Sequence, residues 1–246
     1  MCFSVIPSFT QNKKGKNMSL LPVDSFFDLS DFEHALLFTK NSAVYEAVSK
    51  IEDYLSNFKN YKIEADVKTG AFLVNPETIS LGKGTVVEEG AYIKGPCIIG
   101  KNCTVRHGAY IRGSVIVGDN SIIGHDTEVK STIMLNHAHA AHFAYLGNSV
   151  IGNYVNLGAG TKCANLNLKG DEIEILVNGQ RILTNLRKLG AIIGDGCQLG
   201  CNSVTNPGTL LEKGVFCYPG TVLSGFIASN SLVCPDIKNI IKQKKC

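Results

Sequence analysis

From Leu81 to Leu135 every sixth residue is aliphatic: Leu81, Val87, Ile93, Ile99, Val105, Ile111, Val117, Ile123, Val129 and Leu135. A period of six matches neither the 3.6 of a helix nor the 2 of an ordinary strand. It predicts short flat strands joined by tight turns and stacked along one axis, a parallel β-helix of hexapeptide repeats. The aliphatic residue of each hexad fills the interior. The residue two places earlier is mostly small (Thr85, Ala91, Cys97, Cys103, Ala109, Ser121, Thr127) and also points inward, where a bulkier side chain would collide. Glycine often follows the aliphatic residue, as at Gly82, Gly100, Gly118 and Gly124.

The remaining composition narrows the class. A net charge of +3, with no basic cluster interleaved with aromatics, argues against a nucleic-acid groove. No apolar run is long enough to span a membrane, and the apolar part of Met1–Lys16 is too short for a secretory signal. Nine cysteines could form a disulfide framework. However, Cys97, Cys103 and Cys197 occupy the small inward position, and Cys163 and Cys217 the aliphatic one. There cysteine serves as a small hydrophobe, so reduced thiols and a cytoplasmic protein are expected.

Four regions follow. Residues 1–29 read as a poorly ordered leader, with Met18 a plausible second start. Residues 30–80 read as a helical cap and lead-in. Ser30 and Glu33 form a capping box, and Ser42 can cap a helix whose stripe is Val44, Val48, Ile51, Leu55 and Phe58. This cap is expected to close the open end of the first coil. Residues 81–227 carry the repeat, with loop insertions at 136–144 and 166–190. The first insertion is expected to bulge from the coil, with the period returning at Tyr145. The second contains Val177-Asn178-Gly179-Gln180 between alternating apolar residues, a hairpin signal. Residues 228–246 form a lysine-bearing tail. Function is expected at the two insertions, because residues there are free of the packing rule.

His142-Phe143-Ala144-Tyr145-Leu146-Gly147, then Asn156-Leu157-Gly158-Ala159-Gly160-Thr161, then Asn165, Lys188 and Ile193-Gly194-Asp195 make a more specific pattern than the hexad itself. It resembles the acetyltransferase half of the bifunctional bacterial enzyme that makes UDP-N-acetylglucosamine, and its archaeal relatives. The resemblance covers roughly residues 81–223. It implies a left-handed coil, a homotrimer, acetyl-CoA as co-substrate and an amino-sugar phosphate as acceptor, with no metal. It assigns His142 as the catalytic base, with Glu128 a carboxylate near it. Arg112, Lys130, Tyr145, Asn156 and Lys188 match the sugar-phosphate site, and Ala159 and Asn165 match contacts to acetyl-CoA. Cys201 stands where the family often has Ser beside the coenzyme, and Leu166 where it often has Tyr. The family's nucleotidyltransferase half would need a long α/β region with a Gly-rich, Arg-bearing loop, which residues 1–80 do not contain.

The chemistry agrees with these residue types. A neutral amine attacks a thioester carbonyl and a base removes its proton; imidazole, with an ordinary pKa of about 6.5, suits that task. Arg112 and Lys130 follow aliphatic residues three hexads apart, so three hexads per coil would stack them as a phosphate clamp. His137, His139 and His142 could in principle ligate a metal, but loop spacing does not fix ligand geometry. The leading expectation is N-acetylation of glucosamine 1-phosphate or a similar amino-sugar phosphate. The alternatives are an acyltransferase on another amino-sugar nucleotide, of the lipid A type, and a non-catalytic regulatory subunit.

Overall fold

The computed structural model describes residues 21–39 and 42–235; the leader before Leu21 and the tail lysines from Lys238 onward lie outside the described residues. The chain winds into a left-handed parallel β-helix of about nine turns. Its three sheets form the faces of a prism. Face I holds nine strands, from Asp66–Val67 to Leu232–Val233; face II holds eight, from Phe72–Val74 to Val222–Leu223; face III holds eight, from Ile79–Leu81 to Phe226–Ile227. The coil therefore begins at Asp66, ahead of the regular hexads, and continues into the stretch expected as tail.

The hexad rule accounts for the interior. Leu81, Val87, Ile93, Ile99, Val105, Ile111, Val117, Ile123 and Val129 are all buried in one core with Cys97, Cys103, Ala109, Cys163 and Cys197. Parallel pairing aligns equivalent residues of consecutive coils, as with Ile93, Ile111 and Val129 on face II. Inward Thr85, Ser121, Thr127 and Thr132 satisfy their hydroxyls on backbone carbonyls of the next coil.

Residues 136–144 are not an insertion. His139–His142 is a regular strand of face I, with Ile122 opposite His139, Ile123 opposite Ala140 and His125 opposite His142. The break in period comes from one missing residue. Met134, not Leu135, is the inward partner of Val117, so the hexad after Val129 has only five residues. Ala140 and Leu146 then take the aliphatic places, and Tyr145 faces outward rather than restarting the period. Leu135 is buried outside the coil instead.

The insertion at 166–190 is real and contains the expected hairpin. Glu174–Val177 pairs antiparallel with Gln180–Leu183, and Asn178 and Gly179 take φ of 48° and 79°, the left-handed turn that Asn-Gly favours.

The N-terminal segment does not cap the coil end. It lies across face III, whose outward residues Ile98, Ile116, Ile133, Val150, Ile192 and Leu210 form one aliphatic column and are all buried. Leu21, Phe26 and Phe27, expected within a poorly ordered leader, are buried in this second core with Val44, Val48, Ile51 and Leu55. The far end of the same column is covered by hairpin residues Ile173, Ile175, Val177 and Ile182. Gly208 lets the hairpin approach, since a Cβ there would meet the Ile173 side chain at 2.7 Å. Neither sequence cap forms. Val44–Lys50 is a 3₁₀ helix running into a short α-helix, Ile51–Asn57, and neither has a side-chain cap bond. Packing on face III holds the segment in place of local capping. A polar ladder at the III/I corner adds to this. The Asp28 N–H donates to Asp195 Oδ2 at 2.6 Å, Asn153 Nδ2 donates to the Asp28 carbonyl at 2.8 Å, and Asn136 Nδ2 donates to the Asp31 carbonyl at 2.9 Å.

Burial pushes the thiols of Cys97 and Cys197 up to about 12 and those of Cys103 and Cys163 up to about 11. Thiolate is the reactive form, so these four should be inert in the native protein. Cys201 and Cys234 are exposed. Alkylation followed by peptide mass mapping should label Cys201 and Cys234 first and the four core thiols only after unfolding. Labelling of Cys97 as fast as Cys201 would refute the inward assignment.

Candidate functional site

Because coils stack in register, a residue column is a row of side chains along the prism. One column runs along the I/II corner. Phe143 N–H donates to the His125 carbonyl at 2.8 Å, Gly160 N–H to that of His142 at 3.0 Å, Asn202 N–H to that of Ala159 at 2.8 Å, and Gly220 N–H to that of Cys201 at 2.8 Å. The same bond repeated four times puts His125, His142, Ala159 and Cys201 in one line on consecutive coils. His142 ends its strand with an exposed side chain. On one side of it stand the small residues Ala159 and Cys201; on the other stand His125 and His107, whose rings stack at 5.8 Å.

A second group occupies face II and the II/III corner. Arg112 and Lys130 fall in one column with Lys94, as three hexads per coil require. Arg112 Nη1 donates to Glu128 Oε1 at 2.6 Å, with both side chains partly exposed. Lys130 lies close enough to Lys188 and Arg112 that both repel its charge. Desolvation first, and then these two cations, hold its amine below the ordinary lysine value. Tyr145 sits opposite Glu128 on the next coil and donates its hydroxyl to Asn165 Oδ1 at 3.3 Å. Burial and the Glu128 charge push the Tyr145 phenol up. Asn165, nearly buried, donates from Nδ2 to Asn148 Oδ1 at 2.6 Å. The hairpin insertion ends here, with the Leu189 N–H on the Asn165 carbonyl, which brings Lys188 to the cluster.

The structure thus gathers Arg112, Glu128, Lys130, Tyr145, Asn165 and Lys188, and lines up His142 with Ala159 and Cys201. Three placements differ from the simplest expectation. Asn165 joins Tyr145 rather than the Ala159–Cys201 line. Glu128 pairs with Arg112, and among the described residues no hydrogen bond joins it to His142. Asn156 lies on face I between His139 and Gln198, on a different face from the cations. His137, His139 and His142 do not converge. His137 stacks on Tyr154 at 4.6 Å, His139 is on face I and His142 is at the I/II corner. Among the described residues no three His, Cys, Asp or Glu side chains are grouped as metal ligands. Asn148 was not foreseen; its only sequence signal is its place at a tight corner, where it adopts φ of 48°.

A three-faced parallel coil with hexad packing defines the left-handed β-helix proteins built from hexapeptide repeats. Within that class the chain resembles the acetyltransferase domain of the bifunctional enzymes of UDP-N-acetylglucosamine synthesis. Residues 93–188 match the family model described as the GMPPB C-terminal domain, and residues 190–222 match the hexapeptide repeat of succinyl-transferase. The bifunctional sugar-1-phosphate nucleotidylyltransferase/acetyltransferase of Sulfurisphaera tokodaii is 38% identical over 93 residues, which cover 38% of this chain and 23% of that protein. The bifunctional protein GlmU of Methanococcus maripaludis is 31% identical over 114 residues, covering 46% and 28%. The chain spans about a quarter of the length of these relatives. Among solved structures, the UDP-N-acetylglucosamine acyltransferase of Francisella novicida superposes with a TM-score of 0.48 at 17% identity, covering 66% of this chain and 60% of that one. Among the described residues no helix is long and apolar enough to cross a membrane.

The lowered Lys130 value has a thermodynamic consequence. The charged amine is disfavoured in the fold, so its contribution to stability is present above the ordinary lysine pKa and lost as pH falls through the lowered one. At neutral pH the cost is in force. Lys130→Met should therefore raise the unfolding free energy of the protein alone, by up to about 0.5 kcal/mol, the usual range at such positions. Added inorganic phosphate should raise the melting temperature of the parent and not of the variant. Equal phosphate stabilisation of both in a thermal-shift experiment would remove Lys130 from any anion site.

Proposed function

We propose that the chain is an acetyl-CoA-dependent N-acetyltransferase acting on glucosamine 1-phosphate or a similar amino-sugar phosphate. The observation that carries this reading is that two groups flank one face of the prism. A histidine followed by small residues runs along the I/II corner, and three cations gather towards the II/III corner with Tyr145, which lies only three residues beyond His142. The relatives' printed names, which pair sugar-1-phosphate chemistry with acetyl transfer, support the same assignment.

In this mechanism Arg112, Lys130 and Lys188 hold the phosphate, Arg112 through its planar fork and the lysines as point charges. Tyr145 and Asn165 orient the sugar. The coenzyme follows the line of Ala159 and Cys201, where small side chains leave the backbone open. The amine attacks the thioester carbonyl, and a C–N bond forms. His142 takes the amine proton, the C–S bond breaks, and the proton passes to the departing thiolate. Glu128 fixes the Arg112 fork.

Acetylation should be followed by thiol release from acetyl-CoA with a panel of amino sugars. His142→Ala should lower kcat by about 10² to 10⁴, the usual share of general base catalysis. Arg112→Ala should raise KM for glucosamine 1-phosphate by about 10- to 150-fold, from roughly 1.5–3 kcal/mol for one charge-assisted contact, and leave free glucosamine unaffected. Near-full turnover in His142→Ala, or equal losses on both acceptors in Arg112→Ala, would defeat the assignment.

The position of Asn156 supports a homotrimer. It matches the acceptor site yet lies on face I, while the other acceptor residues lie on face II. Apposition of face I of one copy to face II of the next would bring it in. Sedimentation should give a trimer at micromolar concentration, and a stable, fully active monomer would exclude the shared site.

A further inference from the structure

A ladder of side chains climbs the III/I corner, and its first rung is incomplete. Lys101, Asp119, Asn136 and Asn153 each donate a backbone N–H to a side-chain oxygen one coil on. The acceptors are Asp119, Asn136, Asn153 and Asp195 in turn, at 2.7 to 3.1 Å. At Asn136, Asn153 and Asp195 the second side-chain atom reaches the N-terminal segment. At Asp119 it does not: among the described residues Oδ2 has no hydrogen-bond partner. There a cleft of about 240 Å³ opens between the segment and the first coils. Asp31, Glu33, Asp119 and Lys101 line it, and none of them is in an ion pair among the described residues. Lys62 and Glu64, also on its wall, neutralise one another at 2.6 Å. Three carboxylates against one ammonium leave a formal charge of −2.

His34 makes this more than a group of acids. It is only 4% exposed, and its Nδ1 bonds the Tyr54 hydroxyl at 2.8 Å. His34 lines the cleft and Tyr54 does not, so the ring edge that carries Nε2 faces the cleft. Among the described residues Nε2 has no partner. A buried ring nitrogen left unpaired is costly, which points to an occupant that can donate a hydrogen bond. Burial holds this imidazole below its usual pKa, and the nearby Glu33 and Asp119 charges oppose that shift without reversing it. The ring is therefore neutral near pH 7. With Nδ1–H given to Tyr54, Nε2 offers a lone pair. Phe58, 6.5 Å from the His34 ring and 73° to it, adds an aromatic wall that suits a cation. Among the described residues no three metal-ligating side chains are grouped, so the chemistry favours an organic cation. At about 30 Å³ per water, the volume suits a chain of roughly eight heavy atoms or fewer.

We propose that this cleft is a binding site for a small aliphatic diamine. One ammonium donates to His34 Nε2 and Asp119 Oδ2, and Asp31 and Glu33 balance the second charge. Such a ligand completes the ladder at the one rung where the segment does not. It touches the segment and the coil together, so it fastens the cover of face III. The site lies away from the I/II and II/III corners and does not depend on the acetyl transfer proposed for them.

The test is calorimetry of the full chain with 1,4-diaminobutane at fixed ionic strength, with butylamine as the singly charged comparison. The parent should bind the diamine, and bind butylamine more weakly. Glu33→Gln/Asp119→Asn should weaken diamine binding by about 3- to 30-fold, the range for two partly exposed ion pairs. Asparagine keeps an Oδ1 for the Lys101 N–H, so the unliganded variant should melt with the parent. Because the ligand needs segment and coil assembled, the diamine should raise the melting temperature of the parent more than that of the variant. His34→Phe keeps an aromatic ring beside Phe58 and removes the lone pair, and it should also weaken binding. If that variant does not fold, the carboxylate variant decides. No diamine binding by the parent would overturn the site and leave a cleft that holds only water. Equal affinity for butylamine, or unchanged affinity in Glu33→Gln/Asp119→Asn, would overturn it as well.

Discussion

Everything in this molecule depends on the ladder of parallel backbone bonds between coils, held in register by one buried aliphatic residue per hexad. Each coil contributes its strands' hydrogen bonds to the coil above and below, and the inward residues fix which pairs meet. A separation of seventeen or eighteen residues in sequence thereby becomes a single strand spacing in space. Sites in such a fold are columns. The Arg112–Lys130 pair and the His125–His142–Ala159–Cys201 line both arise in this way. A slip of one residue would turn each of them to the other side of the sheet.

The three faces receive the same backbone and differ only in what points outward. Face III presents aliphatic side chains that would otherwise face water, and two separate stretches of chain cover them. This second core ties the N-terminal segment to the repeat through apolar burial. The Asn136, Asn153 and Asp195 ladder at the III/I corner fixes its position with hydrogen bonds. Faces I and II, left open, meet at the corner that carries His142. Covering face III thus leaves the I/II corner as the edge flanked by two faces that the described chain does not cover.

Much of this was legible in the sequence because the hexad is a packing rule with one solution. The inward residues, the coil of three hexads and the stacking of Arg112 on Lys130 all followed from counting. The Asn-Gly hairpin followed from turn chemistry. The missing residue near Met134 was harder to see. Met134 and Leu135 are both apolar, so periodicity alone could not say which one pointed inward, and His139–His142 read as a bulge. The N-terminal segment was misplaced for a different reason. Its stripe said that it must pack on something apolar, but the aliphatic outward column of Ile98, Ile116 and Ile133 is visible only once face assignments exist. Asn156 could be matched to a role but not to a face, because that needed the corrected register. Asn148 carried only the signal of a corner residue.

The irregularities in the repeat are not scattered. At the I/II and III/I corners the step between inward residues is always six, as in Ile123 to Val129 and Met134 to Ala140. At the II/III corner it varies: it is longer between Leu73 and Leu81, shortens to five between Val129 and Met134 and again between Leu146 and Ile151, opens into the hairpin insertion after Cys163, and is shortest between Leu223 and Ile227. Lys130, Asn148 and Lys188 occupy or adjoin the three middle departures. A strict repeat places the same kind of corner on every coil and cannot by itself draw three different side chains to one point. Shortening two consecutive corners and extending the third breaks that equivalence where the cations gather. The cation cluster is therefore best understood as a local violation of the packing rule, confined to one edge and supported by the regular coils on either side.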